Sequence, residues 1–158
     1  MATPIRAATR ADIPAILALQ QTIHAEHLAW DAARWQTAGT LTEAYPRWIE
    51  ELLAAPADGL VLVCEIEAQT VGYLIAEYVP ESTHHWSPAA VYLHDIFVAP
   101  AARRAGLARW MMNDLIAWTD RTHAGIAIRL ITAAPNEPGR AFFATLGFRS
   151  CAVEMIRA

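Results

Sequence analysis

Apolar and polar positions along the chain follow two different periods. In the first half, a short apolar run at residues 5–9 predicts a strand, and two stretches with helical spacing follow at residues 11–28 and 41–54. Two runs rich in β-branched residues come next, at residues 60–67 and 71–79. Because only a short polar turn separates these two runs, they predict a β-hairpin.

Strands and helices alternate in the second half. The pattern predicts a strand at residues 91–98, a helix at 104–123, a strand at 125–133, a helix at 137–148 and a last strand at 151–157. The complete order, β-α-α-β-β-β-α-β-α-β, is typical of an α/β fold. We expect a mixed, mostly antiparallel central sheet flanked by helices on both faces.

Composition supports one globular domain spanning residues 1–158. The 158 residues are 55% hydrophobic and 18% charged, and no repeat or linker interrupts them. No apolar run reaches the roughly 18 residues of a membrane span, and the first residues carry no apolar leader segment. We therefore expect a cytoplasmic protein. Cys64 and Cys151 have no metal or redox spacing and are interpreted as buried small hydrophobes.

The charge balance narrows the choice of partners. Twelve basic residues stand against 16 acidic ones, for a formal net charge of −4. This balance argues against nucleic acid as a partner and is compatible with a cationic one such as an amine. The histidines form no H-E-x-x-H pattern, so we expect no metal site.

The stretch FVAPAARRAGLARWMM, at residues 97–112, places two arginines and a glycine where a helix begins. Helix N-termini offer free backbone N–H groups to anions, and Gly106 allows a ligand to approach the backbone closely. Arg103 and Arg104 add charge suited to phosphate oxygens. The two common phosphate-binding glycine motifs are absent from the sequence. An exposed helix start that happens to carry arginines explains the stretch equally well.

A second stretch, PNEPGRAFFATLGF at residues 135–148, favours the phosphate-binding interpretation of the first stretch over an ordinary helix start. Asn136 follows the predicted strand, and a pair of aromatic residues precedes LGF. With the opening IRAATRADIPAILAL, the hairpin VCEIEAQTVGYLIAE and the segment VAPAARRAGLA in the same order, the sequence resembles the GNAT superfamily of acyl-CoA-dependent N-acyltransferases. The resemblance covers nearly the whole chain. Its strand YLHD looks closest to small-amine acetyltransferases, including the polyamine type with its YLED strand.

The resemblance implies the family's fold, in which central strands splay apart to form the acyl-CoA cleft. It implies that the arginine–glycine turn wraps the pyrophosphate of coenzyme A and that the preceding strand hydrogen-bonds the pantetheine arm. Asn136 matches the family's asparagine that contacts the same molecule. The implied acetyl-CoA-binding residues are Ile96, Phe97, Val98, Arg103, Arg104, Ala105, Gly106, Leu107, Ala108, Arg109, Asn136 and Phe143.

Two positions depart from the family's pattern. Phe143 stands where the family often has a tyrosine that protonates the departing thiolate, and phenylalanine has no proton to donate. His94 replaces the glutamate of YLED. His94 is the preferred candidate base, narrowly over Asp95, because it aligns with that glutamate and has an ordinary pKa of about 6.5. Strand alternation would allow only one of the two to face the cleft, and a structural histidine remains the alternative.

Four residues are candidates for binding the acceptor. His24 and His27 lie on one side of the first predicted helix, near where the family places its acceptor, and packing against the sheet is the alternative. Glu77 and Trp86 are the acidic and aromatic candidates, although tryptophan is also suited to core or lid packing.

The function implied is that of an N-acetyltransferase, which moves an acetyl group from acetyl-CoA to a primary amine of a small molecule or a protein. Direct attack in a ternary complex is expected, because no activated cysteine or serine is evident. The backbone near residues 97–98 would polarise the thioester carbonyl. The alternative is an acyl-CoA-binding sensor without catalysis, which Phe143 favours. The family also makes a homodimer plausible, and neither a membrane nor a nucleic acid is an expected partner.

Overall fold

The computed structural model describes residues 4–36 and 41–157. The regular elements, in chain order, are β1 (Ile5–Ala7), α1 (Ile13–Trp30), α2 (Ala32–Trp35), α3 (Leu41–Ala54), β2 (Gly59–Ile66), β3 (Gln69–Val79), β4 (Ala90–Val98), α4 (Leu107–Thr122), β5 (Ala127–Leu130) and α5 (Glu137–Ala144). Single turns of 3-10 helix at Arg10–Asp12, Thr83–His85 and Pro100–Ala102 lead into or out of these elements.

The five strands form one sheet in the order β1-β2-β3-β4-β5. The first three pairings are antiparallel, and β4 pairs with β5 in parallel. The turn between β2 and β3 has positive φ angles of 50° at Glu67 and 61° at Ala68. Two successive left-handed residues match the twist of a tight hairpin, so the predicted hairpin and the mixed, mostly antiparallel sheet are confirmed.

Helices cover both faces of the sheet. On one face, Ile16 of α1 and Ile49 of α3 are fully buried against strand residues that include Ile75 and Phe97. On the other face, α4 and α5 pack against strand residues of the opposite parity. Each strand therefore contributes alternate side chains to two separate cores, which is the layered arrangement that the sequence predicts.

The C-terminal segment differs from its prediction. Residues 151–157 form no strand, and Val153 and Met155 are 87% and 91% exposed. An alternating sequence becomes a strand only where a neighbour accepts its hydrogen bonds. Within the described ranges no strand pairs with this segment, and Cys151, predicted to be buried, is exposed there. Cys64, on β2, is buried as expected.

Candidate active site

The site begins where β4 and β5 separate. β5 pairs with β4 only from Ala90 to Leu93, whereas β3 pairs with β4 as far as Val98. Beyond Leu93 the β5-facing edge of β4 has no strand partner in the described structure. This splay is the opening that the resemblance implies, and it leaves backbone amide groups of residues 94–98 facing a cleft.

A turn of unusual backbone geometry joins β4 to α4. Arg104 and Gly106 have positive φ angles of 70° and 81°, and Gly106 is the N-cap of α4. A Cβ placed on Gly106 would meet nothing within 4 Å, so the space in front of this helix start is open. No side chain in the described part of the chain caps the first turn of α4. The free N–H groups and the open space suit a phosphate group.

Arg103 links this turn to the cleft. Its Nε donates to the Val98 carbonyl oxygen at 2.9 Å, and its Nη2 lies 3.2 Å from Oε1 of Glu26 on α1. The guanidinium also lies over the Phe97 ring, 5.5 Å from the centroid. Arg109 instead joins α4 to the end of α5, through a 2.9 Å hydrogen bond to Thr145. The two arginines are therefore already engaged within the protein at either side of the turn.

A large cavity of about 670 Å³ runs along the free edge of β4 and reaches Arg103 and Ala108, which flank this turn, whereas Gly106 and Arg109 are not part of its lining. Of the residues predicted to bind acetyl-CoA, it is lined by Ile96, Phe97, Val98, Arg103, Ala108, Asn136 and Phe143. The side chain of Leu107 is instead buried in the core, so only its backbone is available to a ligand. Arg104 and Ala105 are exposed on the turn itself.

Asn136 has a structural role at the wall of this cavity. Its Oδ1 accepts a hydrogen bond from the Gly139 N–H at 3.0 Å and caps α5, while its Nδ2 donates to Thr132 at 3.2 Å. A Cβ on Gly139 would come within 2.4 Å of the Asn136 side chain, so a larger residue here would displace Asn136 from its capping position. Asn136 therefore lines the cavity with its side-chain polar atoms already in use within the protein.

A small cavity of about 210 Å³ adjoins the large one and has Ile23, His27, Ile96, Asn136 and Phe143 as shared lining. His24 also lines the small cavity, as do His94 and Asp95. The two cavities thus meet beside Phe143, a buried side chain with no polar atom.

A β-bulge in β4 brings His94 and Asp95 to the same side. Ile75 of β3 is opposite Asp95 and Ala76 is opposite Leu93, so His94 is an extra residue in the ladder. The inserted residue resets the alternation of the strand. Both side chains consequently line the small cavity, and the expectation that only one of them faces it is wrong.

Two tyrosine hydroxyls approach the Asp95 carboxylate. The Tyr45 hydroxyl, from α3, donates a hydrogen bond to Oδ2, and the Tyr73 hydroxyl lies 3.4 Å from the same oxygen. Burial raises the pKa of Asp95 to about 6, since removal of water disfavours the charged carboxylate. Asp95 therefore changes protonation close to neutral pH.

His94 has its own acidic partner. Its Nε2 lies 2.7 Å from Oε1 of Glu77 on β3, and the Trp48 Nε1 donates to the other Glu77 oxygen at 3.4 Å. Burial lowers the pKa of His94 below its ordinary value, although the charge of Glu77 acts in the opposite direction. Glu77 does not line either cavity and contacts the site through His94. Its neighbour Tyr78 is on the opposite face and stacks on His123.

Of the remaining candidates for binding the acceptor, two line the small cavity and one does not. His24 and His27 line the small cavity, where the His24 Nε2 is 3.2 Å from the Trp35 carbonyl oxygen and the His27 ring meets the Trp35 ring edge-on. Trp86, by contrast, is 93% exposed in the β3–β4 loop and lines neither cavity.

Sequence reasoning missed Tyr45, the closest partner of Asp95. The signal was its spacing: Tyr45, Trp48, Ile49 and Leu52 recur at helical intervals and mark the face of α3 that packs on the sheet. A tyrosine on such a face brings a hydroxyl that needs a polar partner.

Neither a metal-binding cluster nor a membrane-spanning helix is found among the residues that the structure describes. The described ranges contain no group of three or more His, Cys, Asp or Glu residues arranged to hold a metal ion. In the same ranges, none of the helices combines the length and the apolar character needed to cross a membrane.

The model of the acetyltransferase (GNAT) family matches residues 23–148, which is well over half of the chain. The chain therefore belongs to the GNAT family of acetyltransferases. Its members transfer acetyl groups to amine acceptors. No curated protein sequence matches this chain.

Solved structures show the same fold. A mutant of the BH1408 protein from Bacillus halodurans aligns with a TM-score of 0.81 at 22% identity, over 98% of each chain. The aminoglycoside antibiotic 6'-N-acetyltransferase AAC(6')-IG from Acinetobacter haemolyticus has a TM-score of 0.71 at 19% identity, over 98% of this chain and 96% of its own. A predicted acetyltransferase with acetyl-CoA, from Clostridium acetobutylicum, has a TM-score of 0.70 at 17% identity, over 98% and 94%.

Proposed function

We propose that this protein transfers an acetyl group from acetyl-CoA to a positively charged primary amine, by direct attack within a ternary complex. The observation that carries the proposal is the junction of the two cavities. A long cleft that starts at a helix N-terminus meets a smaller cavity that holds a buried carboxylate and an imidazole. Acetyl transfer needs such a junction, because the thioester and the amine must reach the same point from different sides.

The large cavity has the features that acetyl-CoA requires. The pyrophosphate of acetyl-CoA suits the open space before α4, where the turn of Arg104 and Gly106 presents backbone N–H groups. The amides of its pantetheine arm suit the β5-facing edge of β4 at residues 96–98, which has no strand partner among the described residues. Acetyl-CoA would supply the activated acetyl thioester, and the backbone N–H groups of this edge are suited to polarising its carbonyl.

The small cavity is suited to a cationic amine. With a pKa of about 6, Asp95 is mostly ionised at pH 7, so its carboxylate attracts an ammonium group and can accept its proton. The neutral nitrogen would then form a bond to the carbonyl carbon as the C–S bond breaks and its electron pair leaves on sulfur. The second proton that the nitrogen loses on becoming an amide would go to that sulfur, which gives the free thiol of coenzyme A. His94, held by Glu77, is the alternative base in the same cavity.

Phe143 is compatible with this chemistry. A thiol of ordinary pKa near 8.5 is a tolerable leaving group as its thiolate, so a positioned acid is useful rather than essential. The same residue also supports the second candidate function, an acyl-CoA-binding sensor. Phe143 lies at the junction of the cavities and offers no proton there.

One experiment separates these two functions. Purified protein is incubated with acetyl-CoA and a panel of amines that differ in charge and size, and thiol release is followed while acetyl-CoA binding is measured by calorimetry. Turnover with cationic primary amines is the expected result. Binding without turnover on any amine would favour the sensor, and absence of binding would contradict both functions.

A further inference from the structure

We infer that Tyr45 is a positioning residue for Asp95, whose carboxylate it holds in place and in the ionised form. The inference rests on the proposed function, in which Asp95 accepts the proton of the amine. It goes further by assigning a role to α3, a helix that contributes none of the residues predicted from the sequence.

The geometry of α3 supports this role. Tyr45 and Trp48 are three residues apart and share the face of the helix that packs on the sheet, with their rings 5.2 Å apart. Tyr45 reaches Asp95, whereas Trp48 reaches Glu77, the partner of His94. One turn of α3 therefore supplies a separate hydrogen-bond donor to Asp95, which lines the small cavity, and to Glu77, which contacts that cavity through His94.

Tyr45 and Tyr73, the two tyrosines that approach the Asp95 carboxylate, differ in where they lie. Tyr73 is fully buried in the core, and its hydroxyl is 3.4 Å from Oδ2. Tyr45 lines the small cavity itself and makes the closer contact with the same oxygen. Tyr45 is thus the donor that shares the lining of the small cavity with Asp95.

Other titratable groups lie around the Asp95 carboxylate and affect its titration. His94 lies beside it on β4, with Glu77 of β3 behind that ring. From α1, His24 and His27 line the same cavity, together with the neutral Gln20. In the part of the chain that the structure describes, no arginine or lysine lines the small cavity, and the carboxylate is hydrogen-bonded by the hydroxyls of Tyr45 and Tyr73.

A hydrogen bond donated to a carboxylate stabilises its charged form and lowers its pKa. Removal of the Tyr45 hydroxyl should therefore raise the pKa of Asp95 above its present value. A base with a higher pKa is protonated over more of the neutral range. The variant should consequently lose activity near pH 6 and recover it as the pH rises.

The direct test is a carbon NMR titration of the free protein with labelled aspartate, in which Asp95→Asn identifies the Asp95 signal. Tyr45→Phe should move the titration midpoint of Asp95 upward by about one pH unit or more. Trp48→Phe is the matched control for disturbance of α3 and should shift the Asp95 midpoint much less, because the Trp48 Nε1 contacts Glu77 and not Asp95. Tyr73→Phe, which removes the more distant donor, should produce a smaller shift than Tyr45→Phe.

A second measurement needs no substitution at Tyr45. In the unmodified protein, the ring carbon that bears the Tyr45 hydroxyl should shift with the same midpoint as Asp95. An Asp95 midpoint that is unchanged in Tyr45→Phe, or a Tyr45 signal that ignores the titration of Asp95, would overturn the inference.

The activity measurement distinguishes this inference from the proposed function. With an amine that the protein acetylates, Tyr45→Phe should lower kcat/KM by about fivefold or more near pH 6 and much less near pH 9. A uniform loss at every pH would indicate a merely structural role and count against the inference. If no amine is acetylated, the proposed function fails, and the NMR titration still decides whether Tyr45 controls Asp95.

Discussion

At the scale of single residues, Gly106 is the sharpest test of the phosphate-binding turn. Gly106→Glu should abolish acetyl-CoA binding, because the new side chain and its negative charge would occupy the open space before α4. The change also places a side chain at a φ of 81°, a strain of about 1–2 kcal/mol. Gly125→Ala is the control for this strain, since Gly125 has the same φ and lies beyond the C-terminal end of α4, away from the turn. Calorimetry should show normal binding in this control, and normal binding in Gly106→Glu would refute the phosphate site.

Asp95 and His94 make different predictions for the dependence of activity on pH. If Asp95 is the base, kcat/KM should fall as the pH drops through about 6, because the carboxylate becomes protonated. Asp95→Asn should lower kcat by about a hundredfold or more, remove this decline and leave acetyl-CoA affinity intact. His94→Ala should lower kcat less and keep the decline. Steady-state measurements of kcat and kcat/KM against pH for both variants distinguish the two bases. If His94→Ala removes the decline and Asp95→Asn keeps it, His94 is the base.

At the scale of secondary-structure elements, one arginine joins the first strand to its neighbours. Arg6 on β1 donates to both oxygens of Asp12, at 2.8 and 2.7 Å, and to both oxygens of Glu65 on β2, at 2.9 and 2.8 Å. Asp12 is 7% exposed and also accepts hydrogen bonds from the Thr9 N–H and hydroxyl. The pairing with Arg6 holds the pKa of Asp12 well below its usual range.

This network predicts how stability responds to acid. A depressed carboxyl pKa stabilises the fold above the unfolded-state pKa of about 4, and the contribution is lost as the pH falls below that value. Arg6→Ala should lower the free energy of unfolding by about 1–2 kcal/mol at pH 7, a modest loss because the arginine side chain is 40% exposed. Urea unfolding at several pH values should show the difference from the unmodified protein shrinking below pH 4. A difference at pH 2 that is as large as the difference at pH 7 would mean that packing, and not the ion pair, is responsible.

At the scale of the whole molecule, charge bears on the choice of acceptor. The formal net charge is −4, and the small cavity contains the carboxylate of Asp95. At saturating acetyl-CoA, the KM for a cationic amine should rise several-fold between about 0.05 and 0.5 M NaCl, because salt screens this attraction. A weakly basic amine, neutral at the assay pH, is the control and should show little change. Equal salt effects on both amines would argue against recognition of the acceptor by its charge.

The sequence by itself determined the order of the elements from β1 to α5, apart from the short α2, and it predicted which residues of the large cavity would bind acetyl-CoA. Alternating and helical spacings were enough for the hairpin and for helices on both faces, because these patterns record which side chains must be buried. The arginine–glycine turn was visible as well, since Gly106 and the helix after it are adjacent in the chain. Local features of this kind depend only on neighbouring residues.

Only the tertiary structure decided how the small cavity is built and where the sheet ends. Strand alternation places His94 and Asp95 on opposite faces, and the bulge that reunites them exists only through pairing with β3. Tyr45 meets Asp95 across a sequence separation of 50 residues. The segment 151–157 has the pattern of a strand but no partner in the described chain. Each of these features depends on which distant backbone lies alongside, and the order of side chains along one strand or helix does not record that.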